Sequence, residues 1–283
     1  MPLPNPLRVS LLHLAPVLGD VDSNRAILES ATRLSAELGA DWVVSGELVV
    51  PGYMFESEIG TDWIRPQPDR WLHAFARLTA DAGVVSFVSH PERDERTGAL
   101  YNSLFVIGRD GRMLGRHRKL RPTPASEDWS SSGEQPDPVD LDGTKVGLLI
   151  CADAYASAPA GRLRAQGAEI FLSAAAWWPG EWGPNGEWER CTRDNDVPMI
   201  VCNRTGLDGS FDLRHAESVV VDRGRRLATL TADESTLFLL ECAVNDGHIT
   251  RCDVTPVRLA PMLIDPGRWL APANARCRAA GKA

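Results

Sequence analysis

The sequence predicts an α/β fold in which two mixed β-sheets face each other and helices cover their outer faces. Strand-like and helix-like segments alternate over residues 8–89, a hairpin pattern interrupts them at residues 103–118, and the alternation resumes at residue 145. Strands joined by helices run parallel and hairpin strands run antiparallel, so the sheets are mixed. No repeat, low-complexity block or linker divides the chain. We therefore predict one domain over residues 1–283, with an irregular, Pro-containing tail at about residues 255–283.

The individual elements follow from apolar periodicity and from the residues that end each run. Asp22 and Ser23 are candidate caps of the first helix, Gly83 ends the second, and Asp110-Gly111 supplies the hairpin turn. In chain order we predict strands at residues 8–14, 42–48, 84–89, 103–107, 113–118, 145–150, 169–174, 199–202, 217–222, 226–230 and 236–241, and helices at residues 26–38, 69–82, 159–166 and 187–195. Residues 121–141 form a Pro-, Ser- and Asp-rich loop whose length indicates a functional role.

Charge and hydropathy exclude two classes of partner. The chain has 30 basic and 38 acidic residues, a net charge of −8 and no long basic run, so we predict no nucleic-acid partner. No apolar run approaches the roughly 18 residues that cross a bilayer. Residues 1–16 make a poor secretory signal. We therefore expect a cytoplasmic protein that has no membrane partner.

The six cysteines are widely spaced and form no Cys-x-x-Cys pair. This spacing indicates neither a disulfide framework nor a zinc site, so we expect free thiols. No cluster of histidines and carboxylates has metal-ligand spacing, and no Gly-rich phosphate loop is present. We predict no metal and no cofactor.

Three reactive side chains follow predicted strands, where α/β folds build their sites: Glu47, Lys119 and Cys151. Glu47 lies among apolar neighbours, and burial there raises a carboxyl pKa and makes it a usable base. Cys151 lies at a strand-to-helix turn, where backbone N–H groups and a cation favour the thiolate. A structural, buried cysteine is an equally good interpretation of Cys151 alone.

Lys119 is informative because the chain has only three lysines among its 30 basic residues. An ammonium is a compact point charge that fits beside a developing oxyanion, whereas a guanidinium is a wide planar group that needs more room. The alternative is a solvated basic cluster formed with Arg116, Arg118 and Arg121.

The three residues belong to short segments that form an ordered set along nearly the whole chain. The segments are Gly46-Glu47-Leu48, Pro51-Gly52-Tyr53, His117-Arg118-Lys119-Leu120, Gly147-Leu148-Leu149-Ile150-Cys151-Ala152-Asp153, Gly167-Ala168-Glu169-Ile170, Trp177 to Pro179, Asp194-Asn195, Asn203-Arg204-Thr205-Gly206 and Glu217-Ser218 to Gly224. Together they resemble the nitrilase superfamily, the carbon–nitrogen hydrolases with a Glu-Lys-Cys triad.

The resemblance implies a four-layer αββα sandwich and a division of roles among the triad. Glu47 would take the proton of Cys151, whose thiolate attacks an amide-like carbonyl or a nitrile carbon. Lys119 and the backbone N–H of Ala152 would stabilise the oxyanion. Glu47 would then protonate the leaving amine and activate the water that cleaves the thioester.

The resemblance also implies a second glutamate after the lysine. Glu127 is the first candidate and Glu134 the second, with the role of orienting Lys119 or the substrate amine. A solvated loop carboxylate is an equally good interpretation of Glu127.

Aromatic and acidic residues near the triad are candidate substrate contacts. They are Tyr53, Trp129, Asp153, Trp177 and Trp178, and an aromatic wall suits an apolar or cationic substrate. Core packing or a dimer contact explains the tryptophans equally well.

Asp153, two residues after the cysteine, favours the amidase- and carbamoylase-like branch over true nitrilases. We therefore predict a cysteine-dependent hydrolase of a non-peptide C–N bond in a small amide or N-carbamoyl substrate, which forms a thioester and releases ammonia. The alternatives are a nitrilase, a thioester-to-amine acyl transferase and a non-catalytic binding protein of the same fold. The resemblance also implies a homodimer or a higher homo-oligomer.

Overall fold

The computed structural model describes residues 3–135, 137–180 and 183–259. In this part of the chain the strands are β1 (Leu7–His13), β2 (Trp42–Ser45), β3 (Val85–Arg93), β4 (Leu100–Ile107), β5 (Met113–Arg118), β6 (Val139–Leu141), β7 (Thr144–Ile150), β8 (Ile170–Ala174), β9 (Met199–Cys202), β10 (Leu207–Asp208), β11 (Phe211–Asp212), β12 (Ser218–Asp222), β13 (Arg225–Leu230), β14 (Thr236–Asn245) and β15 (His248–Arg258). The α-helices are α1 (Val21–Glu37), α2 (Glu56–Ile59), α3 (Arg70–Ala82), α4 (Ser157–Ala165) and α5 (Glu187–Asn195). Among these described helices none is long and apolar enough to span a membrane.

Two large mixed sheets contain thirteen of these strands. The first has the order β15-β14-β1-β2-β3-β4-β5, with parallel pairs at β1–β2 and β2–β3 and antiparallel pairs elsewhere. The second has the order β13-β12-β9-β8-β7-β6, with parallel pairs at β7–β8 and β8–β9. Parallel neighbours need long crossovers, which α1, α3, α4 and α5 provide.

The sheets face each other across one hydrophobic core, and helices lie outside. A single buried cluster joins residues of both sheets, among them Val44 and Val106 of the first and Leu148 and Ile200 of the second. A separate cluster joins the outer face of the first sheet to α1 and α3, and α4 and α5 pack on the second sheet. The predicted four-layer αββα sandwich is confirmed.

Two of the three predicted helix-end and turn positions agree with the structure. Gly83 ends α3 with φ of 68°, in the left-handed region that favours glycine. Gly111, with φ of 76°, forms the turn between β4 and β5 as predicted. The cap of α1 differs from the prediction: Asp20, rather than Asp22 or Ser23, accepts a hydrogen bond from the Ser23 N–H at 3.1 Å.

The prediction of an irregular tail from residue 255 is wrong for residues 255–258. These residues end β15, which pairs antiparallel with β14. Pro256 obscured the strand in the sequence, but β15 is the edge of its sheet, where a residue without an N–H donor is tolerated. The rest of the predicted tail, residues 260–283, lies outside the described residues.

The prediction of free thiols is wrong for one pair of cysteines. Cys242 of β14 and Cys252 of β15 face each other in the register and form a disulfide. The pairing was missed because β15 was missed. Cys151, Cys191 and Cys202 are free and buried.

Candidate active site

The three predicted residues meet at the ends of strands from both sheets. Glu47 follows β2 and Lys119 follows β5 in the first sheet, and Cys151 follows β7 in the second. The side chains of Glu47 and Lys119 have no exposed surface, and Cys151 is 5% exposed. The interpretation of Lys119 as part of a solvated basic cluster therefore does not apply. The facing sheets bring a carboxyl group, an ammonium group and a thiol together.

Hydrogen bonds fix the Glu47 carboxylate from three directions. The Lys119 Nζ donates to its Oε1 at 2.6 Å, and the Asn102 Nδ2 donates to the same oxygen at 2.8 Å. The backbone N–H of Ala176 donates to Oε2 at 2.9 Å. Glu47 and the Cys151 thiol are near enough for each to shift the pKa of the other.

A second buried carboxylate, Glu127, completes the cluster. The Lys119 ammonium donates to its Oε2, and the Tyr53 hydroxyl donates to the same oxygen at 3.1 Å. The Asn102 Nδ2 donates to its Oε1 at 2.7 Å, and the Thr123 N–H donates to Oε2 at 2.8 Å. Glu127 is fully buried, so it is not a solvated loop carboxylate.

Glu134, the other candidate for the auxiliary carboxylate, lies elsewhere. It lines a separate surface cavity together with Arg116 and Arg118. The geometry therefore favours Glu127 as the group that orients Lys119.

Cys151 begins a short 3₁₀ helix, Cys151–Tyr155, and has φ of 43°. This left-handed conformation is strained for a residue with a Cβ, and such strain is concentrated at functional sites. Ala152, the next residue, lines the cavity beside the thiol. Its N–H lies in the first turn of the helix, where backbone donors have no intrahelical partner.

Asp153 holds the turn together rather than contacting the cavity. Its carboxylate accepts hydrogen bonds from the N–H groups of Ile150, Leu120 and Arg121 at 3.0, 2.9 and 3.1 Å. Its Oδ2 also lies 2.7 Å from His117 Nε2. The prediction of Asp153 as a substrate contact is therefore corrected, because these protein groups surround the buried carboxylate. Asp153 therefore connects the turn that contains Cys151 to the loop that follows Lys119.

Burial shifts the pKa values of the reactive groups. Burial and the Glu47 charge raise the pKa of the Cys151 thiol well above its usual value. Burial also raises the pKa of Glu47, and the charge of Lys119 opposes that shift. Burial alone lowers the pKa of Lys119, but the charges of Glu127 and Glu47 outweigh it and raise that pKa well above the usual value. The strand-to-helix turn and the neighbouring cation were expected to lower the pKa of the thiol, but its shift is in the opposite direction.

Cys151 lines a cavity of about 560 Å³. The described residues that line it are Tyr53, Met54, Thr123, Pro124, Ala125, Ser126, Cys151, Ala152, Tyr155, Trp177, Trp178 and Phe211. Tyr53, Trp177 and Trp178 therefore lie where a substrate would contact them. Trp129 does not line the cavity, because its ring packs against Phe55 with centroids 4.9 Å apart. The prediction of Trp129 as a substrate contact is corrected to a packing role.

Three polar residues that support the site were not among the predicted site residues. Asn102 of β4 bridges the two carboxylates, and its only sequence signal is an amide in a strand of apolar residues. Arg204 and Asp208 form a fully buried ion pair. Asp208 also accepts hydrogen bonds from the N–H groups of Tyr53 and Met54 at 2.7 and 2.8 Å. These contacts fix one wall of the cavity.

The described residues include no group of three or more histidine, cysteine or acidic side chains that could hold a metal ion.

We expect Glu127→Gln to lower kcat by about 10²-fold, because Lys119 loses a charged partner that positions it. Glu134→Gln is the matched control, since it makes the same change on a loop residue outside the cluster, and we expect near-normal kcat. Steady-state kinetics of both variants measure the difference. Equal effects of the two substitutions would contradict the role of Glu127.

A buried thiol lies beside a carboxyl group and an ammonium where strands of the two sheets of an αββα sandwich end, an arrangement suited to nucleophilic catalysis. The chain belongs to the carbon–nitrogen hydrolase family, whose profile matches residues 8–251. The chain is therefore a carbon–nitrogen hydrolase of the nitrilase superfamily, as the sequence predicted.

Individual relatives have diverse activities. The chain is 29% identical over 234 residues to a glutamine-dependent NAD(+) synthetase of Thermotoga maritima, which covers 77% of this chain but 40% of that protein. This chain therefore matches less than half of that relative. It is 29% identical over 221 residues to an N-carbamoylputrescine amidase of Arabidopsis thaliana, covering 72% of this chain and 73% of that protein. An amidase from Nesterenkonia sp. has a similar fold, with a TM-score of 0.74, 21% identity and coverage of 86% of this chain and 93% of that chain.

Proposed function

We propose that the protein hydrolyses the C–N bond of a small amide or N-carbamoyl compound through a thioester on Cys151 and releases ammonia. The observation that carries the proposal is that Cys151 lines a cavity and interacts with Glu47 and Lys119, which are buried and hydrogen-bonded to each other. Each group has a separate task that this arrangement supports.

Attack begins with transfer of the thiol proton to Glu47. The raised pKa of Cys151 keeps its sulfur protonated at rest, and the raised pKa of Glu47 makes that carboxylate a stronger base than an exposed one. As the proton leaves, the sulfur bonds to the carbonyl carbon and the C=O π electrons move to oxygen.

The oxyanion that forms needs donors in a dry site. Lys119 supplies a permanent positive charge, and the Ala152 N–H supplies a backbone donor beside the thiol. Because Glu47, Glu127 and surrounding backbone hold these groups before substrate arrives, stabilisation needs little reorganisation.

Collapse of the tetrahedral intermediate breaks the C–N bond. Glu47 gives its proton to the departing nitrogen, which leaves as ammonia, and a thioester stays on Cys151. Glu47 then takes a proton from water as the water oxygen attacks the thioester carbon. The C–S bond breaks, the sulfur regains a proton, and a carboxylic or carbamic acid is released.

Ammonia release from a panel of amides, N-carbamoyl compounds and nitriles tests the proposal, with wild type compared with Cys151→Ala. We expect amides or N-carbamoyl compounds to release ammonia and Cys151→Ala to abolish it. Cys191→Ala is the matched control, because Cys191 is also a buried free thiol but does not line the cavity. Release that survives in Cys151→Ala would overturn the proposal.

A further inference from the structure

The walls of the cavity above Cys151 carry no charged side chain among the described residues. The twelve residues that line it are aromatic, aliphatic or hydroxyl-bearing, apart from Cys151 itself. A charged group on a bound substrate would lose its water without gaining a partner of opposite charge. Burial of an unpaired charge is strongly unfavourable. The described part of the walls therefore offers no partner to a charge on the part of the substrate that does not react.

Two aromatic pairs give these walls a rigid apolar surface. Trp178 and Phe211 stack with ring centroids 4.1 Å apart and an interplanar angle of 20°. Tyr155 and Trp177 have centroids 4.7 Å apart. Trp177 in turn packs edge-on against the buried Trp188. Rings held by such packing offer flat hydrocarbon contact at little entropic cost.

A substrate carboxylate also finds no free cation near Cys151. The charged groups that act on the thiol are two carboxyl groups, Glu47 and Glu127, and one ammonium, Lys119, which both carboxyl groups already engage. All three are fully buried, and none is among the described residues that line the cavity. A carboxylate in the cavity would therefore have no cation to pair with among the described lining residues.

An ammonium on the substrate is disfavoured for a different reason. Aromatic rings bind cations through their faces, but a face of Trp178 is covered by Phe211. The Lys119 Nζ lies 5.8 Å from the ring centroid of Tyr53, so that ring already interacts with a cation. No carboxylate is among the described lining residues.

We propose that the site takes neutral primary amides or N-carbamoyl compounds with a hydrocarbon or aryl body and rejects those that carry a carboxylate or an ammonium group. The inference rests on the proposed function, since it names the substrate class of the same site. The cavity of about 560 Å³ is within the ordinary range of small-molecule sites and is large for acetamide. Larger apolar bodies fill it better.

Matched amides of one chain length test the proposal with the wild-type protein. Hexanamide, 6-aminohexanamide and 6-amino-6-oxohexanoate differ only in the terminal group. We expect kcat/KM for hexanamide to exceed that of each charged compound by at least about 100-fold. From propanamide to hexanamide we expect a rise of about fourfold for each buried methylene. Equal or faster hydrolysis of a charged compound would overturn the proposal.

A cation introduced on the cavity wall should shift the preference from neutral to anionic substrates. Phe211→Arg supplies a cation on the cavity wall, so we expect slower hydrolysis of hexanamide and at least tenfold faster hydrolysis of 6-amino-6-oxohexanoate. Leu207→Arg is the matched control, because Leu207 lies on the same short hairpin, is 62% exposed and does not line the cavity. An unchanged ratio between the two substrates in Phe211→Arg would count against the proposal.

Calorimetric binding to Cys151→Ala separates this proposal from the proposed function. If hexanamide binds this variant and 6-amino-6-oxohexanoate does not, the preference for uncharged substrates stands even when the wild-type protein hydrolyses neither compound. If the wild-type protein hydrolyses the charged compounds best and needs Cys151 to do so, the proposed function stands and the preference for uncharged substrates is wrong.

Discussion

Lys119→Arg is expected to lower kcat by about 10²–10³-fold, the usual effect of losing an oxyanion donor, while the fold survives. The Lys119 side chain is fully buried and its ammonium contacts both Glu47 and Glu127. A guanidinium keeps the charge but is planar and larger, so its nitrogens cannot take the position of Nζ. Steady-state kinetics with a good neutral amide measure the loss, and circular dichroism checks the fold.

Lys145→Arg provides the matched control for this substitution. Lys145 is exposed at the start of β7, so the same exchange there has room for the larger group. We expect its kcat to equal that of wild type. Near-normal kcat in Lys119→Arg would show that the ammonium is not the oxyanion donor.

Glu47→Gln is expected to lower kcat by about 10²–10⁴-fold, because Glu47 moves a proton in every step of the proposed cycle. Glutamine has the same shape, and its carbonyl oxygen can still accept from the Ala176 N–H. It cannot take the thiol proton. Glu134→Gln serves here too as a control for loss of one carboxylate.

The pH dependence of kcat/KM provides a second measurement on Glu47. Glu47 works as a base only without its proton, so activity falls as the pH falls through its pKa. Burial raises that pKa, and the acid limb is therefore expected at higher pH than an ordinary carboxyl group gives. In Glu47→Gln this limb should disappear from the residual activity. An acid limb that persists unchanged would assign it to another group.

The fold was predictable from local patterns because each signal has a local physical cause. Apolar periodicity, Asp-Gly at the hairpin turn and Gly83 at the end of α3 each act over a few residues. The end of β15 was not predictable in this way, since Pro256 is acceptable only on an edge strand and the order of strands is a property of the whole sheet. The same missed strand hid the disulfide between Cys242 and Cys252.

The reactive groups of the site were predictable, but several of their surroundings were not. Glu47, Lys119 and Cys151 were found because α/β folds place chemistry at strand ends. Asn102 acts by donating hydrogen bonds to two carboxylates, Glu47 and Glu127, that are far apart in the sequence. The carboxylate of Asp153 was misassigned because sequence proximity to Cys151 does not reveal which backbone donors surround it. Such roles depend on contacts between residues far apart in the chain.

The sign of the thiol pKa shift required the structure for the same reason. A strand-to-helix turn and a nearby cation predict a lowered pKa, but full burial and the neighbouring Glu47 charge prevail. The cytoplasmic location, the homo-oligomeric state and the single domain spanning residues 1–283 stay predictions.

Identification of the acyl-enzyme is the most direct test of the central claim that Cys151 is the nucleophile. Wild-type protein is quenched in acid during turnover of a neutral amide, digested and mapped by mass spectrometry. We expect the acyl mass on the peptide that contains Cys151, and unmodified peptides for Cys191 and Cys202. Turnover with an unmodified Cys151 peptide, or an acyl group on either of the other two thiols, would contradict it.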